Sequence, residues 1–565
     1  MRFFGRRNYT KVHEIAPDEI FLDSSNLPGL EASQFEGRVE RPISRNAMLA
    51  MSIIFLVVVF AFSARAFELQ VVSGEKYQHI ALNNGLDHSI IFAARGTISD
   101  RTGRGLAWNE PSSASSTPFA IRKYLEIPGL AHILGFVQYP KQDSSGAWWR
   151  EEYAGVSGVE LSLHSELQGS NGEQMVEKDA LGHVVRSDIV APPQNGTDVH
   201  LSIDASVQSK LYQILNAHAA EQHFQGGAAV IMDVRTGELI ALTSFPEYDH
   251  AGYAAGDATA VKAAASSLKT PLINRAISGV YAPGSIVKPI FAAAALAEGI
   301  ISPEKQILSK GQIEIPNPYD PKHPSIFKDW KPHGWIDMRT AIAVSSDEYF
   351  YTIGGGYGDQ PGLGIAKIDE YARMFGLGSS TGATFLGESS GVIPTPSWKV
   401  QNFGTDDPWR IGDTYHTAIG QYGFQITPVQ AARYVAAIAN GGHLLTPHII
   451  ASSTPQFTNI PIPDADFQVV REGMRLAVTS TRSDATAKSL EMGALHIAGK
   501  TGTAQIGFHN ENMNSWAVGF WPAENPHYAF AVVLERAPAG TLSGAAPGIR
   551  PFFEWLVANH PEYLD

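Results

Sequence analysis

The sequence predicts an α+β protein: an antiparallel sheet with helices on both faces, carried on a smaller mixed domain and preceded by one membrane-spanning helix. Three observations predict it. Between Arg45 and Arg65 lie 19 residues without a charge, Asn46 to Ala64, centred on Ile53-Ile54-Phe55-Leu56-Val57-Val58-Val59-Phe60. That length crosses a bilayer, and its apolarity on every side exceeds what a core helix needs. Short β-branched and apolar runs, Ala228 to Asp233, Leu239 to Ser244, Trp516 to Trp521 and Tyr528 to Glu535, occur with helical stretches at Ala205 to Ala219 and Pro428 to Asn440, the pattern of a sheet covered by helices. The third is a buried helix with chemistry at its start, Tyr281 to Glu298.

In chain order, residues 1–44 are polar, interrupted by Pro17, Pro28 and Pro42, and read as a flexible tail. The basic residues ahead of the span place the N-terminus in the cytoplasm and the remainder outside. Ala64-Arg65-Ala66 has the small-x-small form of a cleavage site, yet a signal peptide's charged leader is short and 45 residues precede this run, so the span, residues 45–67, is expected to stay as an anchor. A second domain is expected over 68–195. It begins with a helix from Val71 to Asn83, then a strand and hairpin bracketed by Gly96 and Gly103, then Tyr153 to Glu160 and a run from Leu161 to Leu167. The charges there either pin the domain together or meet a partner. Pro192-Pro193-Gln194-Asn195-Gly196 marks the boundary to a third domain, 196–565. In it Asp204 caps a helix, Arg235-Thr236-Gly237-Glu238 joins two strands as a hairpin, and a strand is expected at Leu495 to Ile497.

Composition narrows the function. With 565 residues, 44% of them hydrophobic, the chain fills two or three folded units. A formal charge of -14 with no basic stripe excludes nucleic acid as a ligand. The absence of cysteine excludes disulfides and thiolate metal sites.

The chemistry sits at Ser285 and Lys288. Pro283 and Gly284 break the preceding chain, Ser285 suits a helix start, and Pro289 falls in the first turn, where a missing N–H costs little. Three residues apart on a helix, the hydroxyl and the amine share one face near the positive end of the helix dipole. A lysine desolvated beside other cations can take the serine's proton. Ser-x-x-Lys also begins elsewhere in the chain, at Ser73, Ser266 and Ser325 among others. Only Ser285 is delivered by a turn to a buried helix and followed by two further motifs in order: Ser345-Ser346-Asp347, in a segment from Met338 to Ile353 read as one helix, and Lys500-Thr501-Gly502.

This trio resembles the active-site set of penicillin-binding proteins and β-lactamases. Further matches are Asn274-Arg275-Ala276, Ala418-Ile419-Gly420-Gln421, Thr427-Pro428-Val429-Gln430 and Ser515-Trp516-Ala517-Val518-Gly519-Phe520. Asp329-Trp330, His333-Gly334, Pro394-Thr395-Pro396-Ser397-Trp398-Lys399, Gly412-Asp413-Thr414 and Asp347 itself make the resemblance closest to elongation-type class B penicillin-binding proteins. It implies a transpeptidase domain of the penicillin-binding and serine β-lactamase fold on a pedestal of the dimerisation type. It also implies a D-alanyl-D-alanine transpeptidase that crosslinks peptidoglycan stem peptides through a serine acyl-enzyme, is acylated by β-lactams and lies in the inner membrane. Ser285 would be the nucleophile, Lys288 the base and Ser345 a proton relay. Lys500 would raise the local positive potential, Thr501 and Thr503 beside Gly502 would bind the substrate carboxylate, and the backbone N–H groups of Ser285 and Thr503 would hold the oxyanion. Asp347 could pair with Lys288 as an ion and oppose its base role.

The resemblance further implies a partner, a multi-span glycosyltransferase of the shape, elongation, division and sporulation family. It would meet small residues of the span, Ala47, Ala50, Ser52, Ala61, Ser63 and Ala64, and the pedestal. No cofactor is expected. Some elongation-type enzymes carry a zinc site, which Asp329 and His333 with Asp320 as a third ligand would match. That pattern includes a cysteine, so here the expectation is a solvated loop without metal. Three other functions remain: a division-type transpeptidase, a β-lactamase or carboxypeptidase that hands the acyl group to water, and a non-catalytic activator of a membrane glycosyltransferase.

Overall fold

The computed structural model describes residues 44–77, 86–112, 117–178, 183–317, 320, 322–383 and 387–564; the expected tail and most of the second half of the helix expected from Val71 to Asn83 lie outside them. The chain divides into two compact units, Met1–Asp87 with Glu177–Val185, and His88–Val176 with Arg186–Asp565.

In the first unit, Ser44 caps the helix Arg45–Phe67 by accepting a hydrogen bond from the Ala47 N–H at 3.1 Å. None of its residues is buried. The helix continues through a wider turn, Glu68–Val72, where Arg65 and Glu68 pair across one turn at 2.6 Å. It is the one described helix long and apolar enough to cross a membrane.

The second unit contains a small sheet in the order Val199–His200, Ile98–Ser99, Gly105–Glu110, Ile121–Tyr124. Its hairpin forms as the Gly96 and Gly103 spacing predicted. Buried Asp100 accepts the Thr102 and Arg104 N–H groups at 2.9 Å each, and Gly103 takes φ 86° in the turn between them. Beside this sheet, Glu160 on the short helix Gly158–Ser162 lies between two arginines, with Arg95 Nε at 2.5 Å and Arg122 Nε at 2.7 Å, all three side chains shielded from solvent. Of the two readings left open for the Tyr153 to Glu160 stretch, this charge therefore does the pinning. Glu160→Ala leaves two buried guanidinium groups uncompensated and is expected to destabilise this domain by about 3–5 kcal/mol. Urea denaturation followed by tryptophan fluorescence measures it, and a loss under about 1 kcal/mol would contradict the pinning role.

The main sheet is antiparallel, in the order Leu239–Phe245, Gly226–Asp233, Tyr528–Pro538, Asn512–Trp521, Ala498–Ile506. The first two strands are buried along their whole length, which explains why their sequences are continuous apolar runs. Neighbouring residues serve opposite layers: Val230 and Ala531 pack with Ile290, Phe291 and Tyr434, whereas Ile231 and Val532 pack with Leu211, Leu215 and Phe552. Helices on both faces follow from this alternation. The helix Ala205–Glu221 is capped by Asp204, and Pro428–Ala439 by a reciprocal box between Thr427 and Gln430. Two local expectations shift. The last strand begins at Ala498 because His496 adopts φ 51°, which no extended strand accommodates. The Met338 to Ile353 segment is two helices, Met338–Val344 and Asp347–Gly355.

Candidate active site

Ser285 is placed by backbone packing. Tyr281 N–H donates to Ile426 O at 2.9 Å and Gly284 N–H to Gly420 O at 3.0 Å, so the Ala418-Ile419-Gly420-Gln421 segment clamps the turn. Gly284 has φ 55°, and a Cβ there would lie 2.9 Å from the Thr503 carbonyl oxygen. Only glycine lets this turn approach the last strand. A 3-10 turn, Gly284–Val287, then opens into the helix Lys288–Ala297, whose residues Lys288 to Leu296 are all buried. Tyr434 Oη caps the turn from below by donating to Ile286 O at 2.7 Å.

The break between the two helices of the second motif is at Ser345, which takes φ 59°, ψ 39°. A left-handed serine is uncommon and persists only where its surroundings hold it. Ser346 supplies the hold. Its Oγ accepts the Tyr349 N–H at 3.2 Å, starting the second helix, and donates to Asp329 Oδ2 at 2.6 Å. Asp329 also accepts the N–H of Glu348 at 3.0 Å and of Trp330 at 2.8 Å. Ser345 and Ser346 are buried.

The result is a compact polar cluster. Lys288 Nζ donates to Ser345 O at 2.7 Å and to Asp347 Oδ1 at 2.6 Å, and stands 3.4 Å from Ser345 Oγ. Lys500 Nζ reaches the same hydroxyl at 2.7 Å and Thr501 O at 2.7 Å. Both lysines are fully buried. Burial, and then the charge of Lys288, push the Lys500 amine well below the ordinary lysine range, with Asp347 opposing. Lys500, Thr501, Gly502 and Thr503 lie on the strand Ala498–Ile506, and Gly502 packs against the nucleophile turn so closely that a Cβ would lie 2.8 Å from Pro283 O. Trp516 ties the next strand to the same turn by donating to Ala282 O at 2.9 Å.

A cleft of 1010 Å³ is lined by Ser285, Ser345, Asp347, Thr501, Gly502 and Thr503, and the two lysines bond to Ser345 and Asp347 of this lining. The structure thus brings every sequence-predicted site residue to one place. His416, which sequence reasoning passed over, also lines it. Its ring sits 5.5 Å from Phe327 and 6.3 Å from Tyr351, and burial lowers its pKa. The only signal for it was its position on the helix Ile411–Ala418, two residues before the Ala418 motif.

The loop after Asp329 differs from expectation. Asp329 and His333 are buried rather than solvated. His333 Nδ1 hydrogen-bonds Asp484 Oδ2 at 2.9 Å and its Nε2 faces Asp329 Oδ1 at 3.7 Å. Burial disfavours a charged ring, but these two carboxylates outweigh it and raise the His333 pKa. Asp484 is in turn bound by Arg482 at 3.0 and 2.9 Å. Asp320 is exposed and pairs with His323 at 2.7 Å. Among the described residues, Asp320, Asp329 and His333 therefore do not assemble as a metal set. The network instead holds Asp329 under Ser346.

Residues 227–554 match the penicillin-binding protein transpeptidase domain family and residues 113–201 the penicillin-binding protein dimerisation domain family. The chain is 32% identical over 463 residues to the peptidoglycan D,D-transpeptidase MrdA of Acinetobacter baumannii, covering 76% of this chain and 65% of that protein. It is 30% identical over 476 residues to the MrdA of Haemophilus influenzae, covering 78% and 70%. The chain thus spans about two thirds of the length of these curated relatives. Among solved structures, Pseudomonas aeruginosa PBP2 in complex with WCK 5153 superposes with a TM-score of 0.67 at 28% identity, covering 85% of this chain and 98% of that one.

Proposed function

The chain belongs to the penicillin-binding transpeptidases, and we propose that it is an elongation-type peptidoglycan D,D-transpeptidase with Ser285 as its nucleophile. One observation carries the reading: Ser285 shares a cleft with Ser345, on whose Oγ two buried lysines converge. In the proposed reaction Ser285 Oγ attacks the carbonyl between the two D-alanines. The C–O bond forms, the C–N bond to the terminal D-alanine breaks, and that amine leaves with a proton. A second stem peptide's amine then attacks the ester, the new C–N bond forms, the C–O bond to Ser285 breaks, and the proton lost by the amine returns to Ser285 Oγ. The backbone N–H groups of Ser285 and Thr503 are the oxyanion donors of this reading, supported by the close approach of the Gly284 turn to Thr503.

The geometry favours a different division of labour between the lysines than the motif order suggests. Lys288 is held in an ion pair with the Asp347 carboxylate at 2.6 Å. Lys500, driven toward its neutral form and bonded to Ser345 Oγ, is the group placed to exchange a proton through that hydroxyl with the serine and the leaving amine. Thr501 and Thr503 line the cleft where the substrate carboxylate would bind.

In the same reading, residues 68–195 form the pedestal and 196–565 the catalytic domain. The exposed helix Arg45–Phe67 anchors the chain in the inner membrane with its N-terminus inside, and its small residues offer a face to the glycosyltransferase partner. The enzyme assignment is tested by incubating the full-length chain with a fluorescent penicillin, whose lactam carbonyl takes the place of the scissile bond. A one-to-one adduct on the peptide containing Ser285 is expected; an adduct elsewhere, or none, overturns it.

A further inference from the structure

Two of the sequence motifs, Pro394 to Lys399 and Gly412 to Thr414, take no part in the reaction above, yet the fold brings both to one tyrosine. Tyr422 lies one residue beyond the Ala418-Ile419-Gly420-Gln421 motif. It lines the cleft of Ser285 and also a second cleft, of 1020 Å³, shared with Arg275 and Glu535. Its φ is 62°. For a bulky side chain that is an outlier, and such a conformation persists only where its surroundings over-determine it.

The two motifs supply those surroundings. Thr395 caps the helix Pro396–Phe403 by accepting the Trp398 N–H at 3.1 Å, and Lys399 of the same helix is buried. Lys399 Nζ donates to Asp413 Oδ2 at 2.7 Å and to Pro408 O at 3.0 Å, stands 3.2 Å from Asp407 Oδ2, and lies 5.6 Å from the centre of the Tyr422 ring. Burial disfavours the charged amine, but Asp413, the Tyr422 hydroxyl and Asp407 outweigh it and raise the Lys399 pKa, so the cation persists at neutral pH. The Tyr422 hydroxyl interacts with both members of the Lys399–Asp413 pair. Trp398 and Trp409 meet its ring edge to face at 6.0 and 5.7 Å, and Thr414 Oγ1 holds Trp409 by accepting its Nε1–H at 2.9 Å. Trp398 also covers Gly423, where a Cβ would lie 2.4 Å from the indole.

Tyr422 is the centre of a strap across the nucleophile turn. At one end Gly420 O accepts the Gly284 N–H at 3.0 Å; at the other Ile426 exchanges two backbone hydrogen bonds with Tyr281, at 2.9 and 3.0 Å. We propose that Lys399 and Asp413 are positioning residues for Ser285: through the Tyr422 hydroxyl they hold the strap from Gly420 to Ile426 in the shape that seats the turn Tyr281 to Gly284. The inference rests on the transpeptidase reading above and adds to it two residues that do not line the cleft of Ser285. A strap whose centre leaves the left-handed region re-aims Gly420 O and with it the turn, and a misplacement of about 1 Å at a nucleophile costs about a hundredfold in rate.

The test uses full-length protein and penicillin, with binding and the acylation rate constant separated by varying the penicillin concentration and a melting curve taken for each variant. Tyr422→Phe, which leaves the ion pair in place, is expected to lower the rate constant about tenfold with the melting temperature within about 2 °C of wild type. Lys399→Met/Asp413→Asn is expected to lower it about tenfold to a hundredfold, and to lower the melting temperature because the Asp407 to Arg410 loop loses its anchor. Tyr422→Gly adopts a positive φ without support. In that background the same two substitutions should change the rate constant by less than about twofold while still lowering the melting temperature, because the path to Ser285 through Tyr422 is already gone. An equal loss of rate in both backgrounds overturns the positioning role, as does a wild-type rate constant in Tyr422→Phe. Weaker penicillin binding with an unchanged rate constant overturns it as well, since Tyr422 would then be only a wall of the cleft. If Lys399→Met/Asp413→Asn fails to fold, Tyr422→Phe decides alone. Wild type that penicillin fails to acylate overturns the transpeptidase reading and this proposal with it.

Discussion

Ser285→Ala is expected to abolish covalent labelling by penicillin and to lower crosslinking by about ten-thousand-fold or more, because no other hydroxyl shares its position. Ser345 is the nearest alternative in sequence logic. Its Oγ, however, is already engaged by Lys500 at 2.7 Å and flanked by Lys288 at 3.4 Å, within a buried turn. Truncating Ser285 removes one half-buried hydroxyl beside the cleft, with no hydrogen bond among the described residues depending on it, so thermal stability should change by less than about 1 kcal/mol. Intact mass after penicillin treatment, with a melting curve of the same sample, decides both points. Persistent one-to-one acylation of the variant would move the nucleophile elsewhere.

Lys500→Ala should lower the acylation rate by about a hundred- to ten-thousand-fold, the range for a proton-transfer group that also supplies charge at the site. The pH dependence distinguishes its role. Burial lowers the pKa of Lys500, so the neutral amine is present from a lower pH than for an ordinary lysine. Acylation by wild type should rise with pH through that depressed pKa and then level off, and Lys500→Ala should lose that rise. The folded state also holds this proton less tightly than the unfolded chain. The site's contribution to stability should therefore increase with pH from the folded pKa up to the ordinary lysine value. A variant that keeps the full wild-type pH profile would show that Lys500 contributes only static charge.

Much of the fold was legible because it is local chemistry. The hairpin at Arg235 to Glu238, the cap Asp204, the proline and glycine ahead of Ser285 and the uncharged run after Arg45 each work within a few residues, where propensity and hydrogen bonding act directly. The three motifs were legible as motifs for the same reason. Their mutual geometry was not. The run from Met338 to Ile353 keeps a helical pattern through Ser345, and what breaks it is Asp329, which takes the Ser346 hydroxyl from 17 residues away. Nothing near Asp329 in the chain announces that role.

By itself, then, the sequence determined an apolar helix long enough to cross a membrane, the sheet-and-helix class, and which serine, lysines and threonines belong together. Only the tertiary structure decided which lysine meets which partner: Lys288 is paired with Asp347 and Lys500 with the Ser345 hydroxyl. It also decided that Asp484, not Asp320, reaches His333, and that Arg275 meets Glu535 across 260 residues to fix the rim of a second cleft. The physical reason is common to these cases. A buried charge takes its partner from whatever the packed elements bring within hydrogen-bond reach, and that neighbourhood is set by the whole core, whose contacts are long-range and carry no periodic trace in the chain.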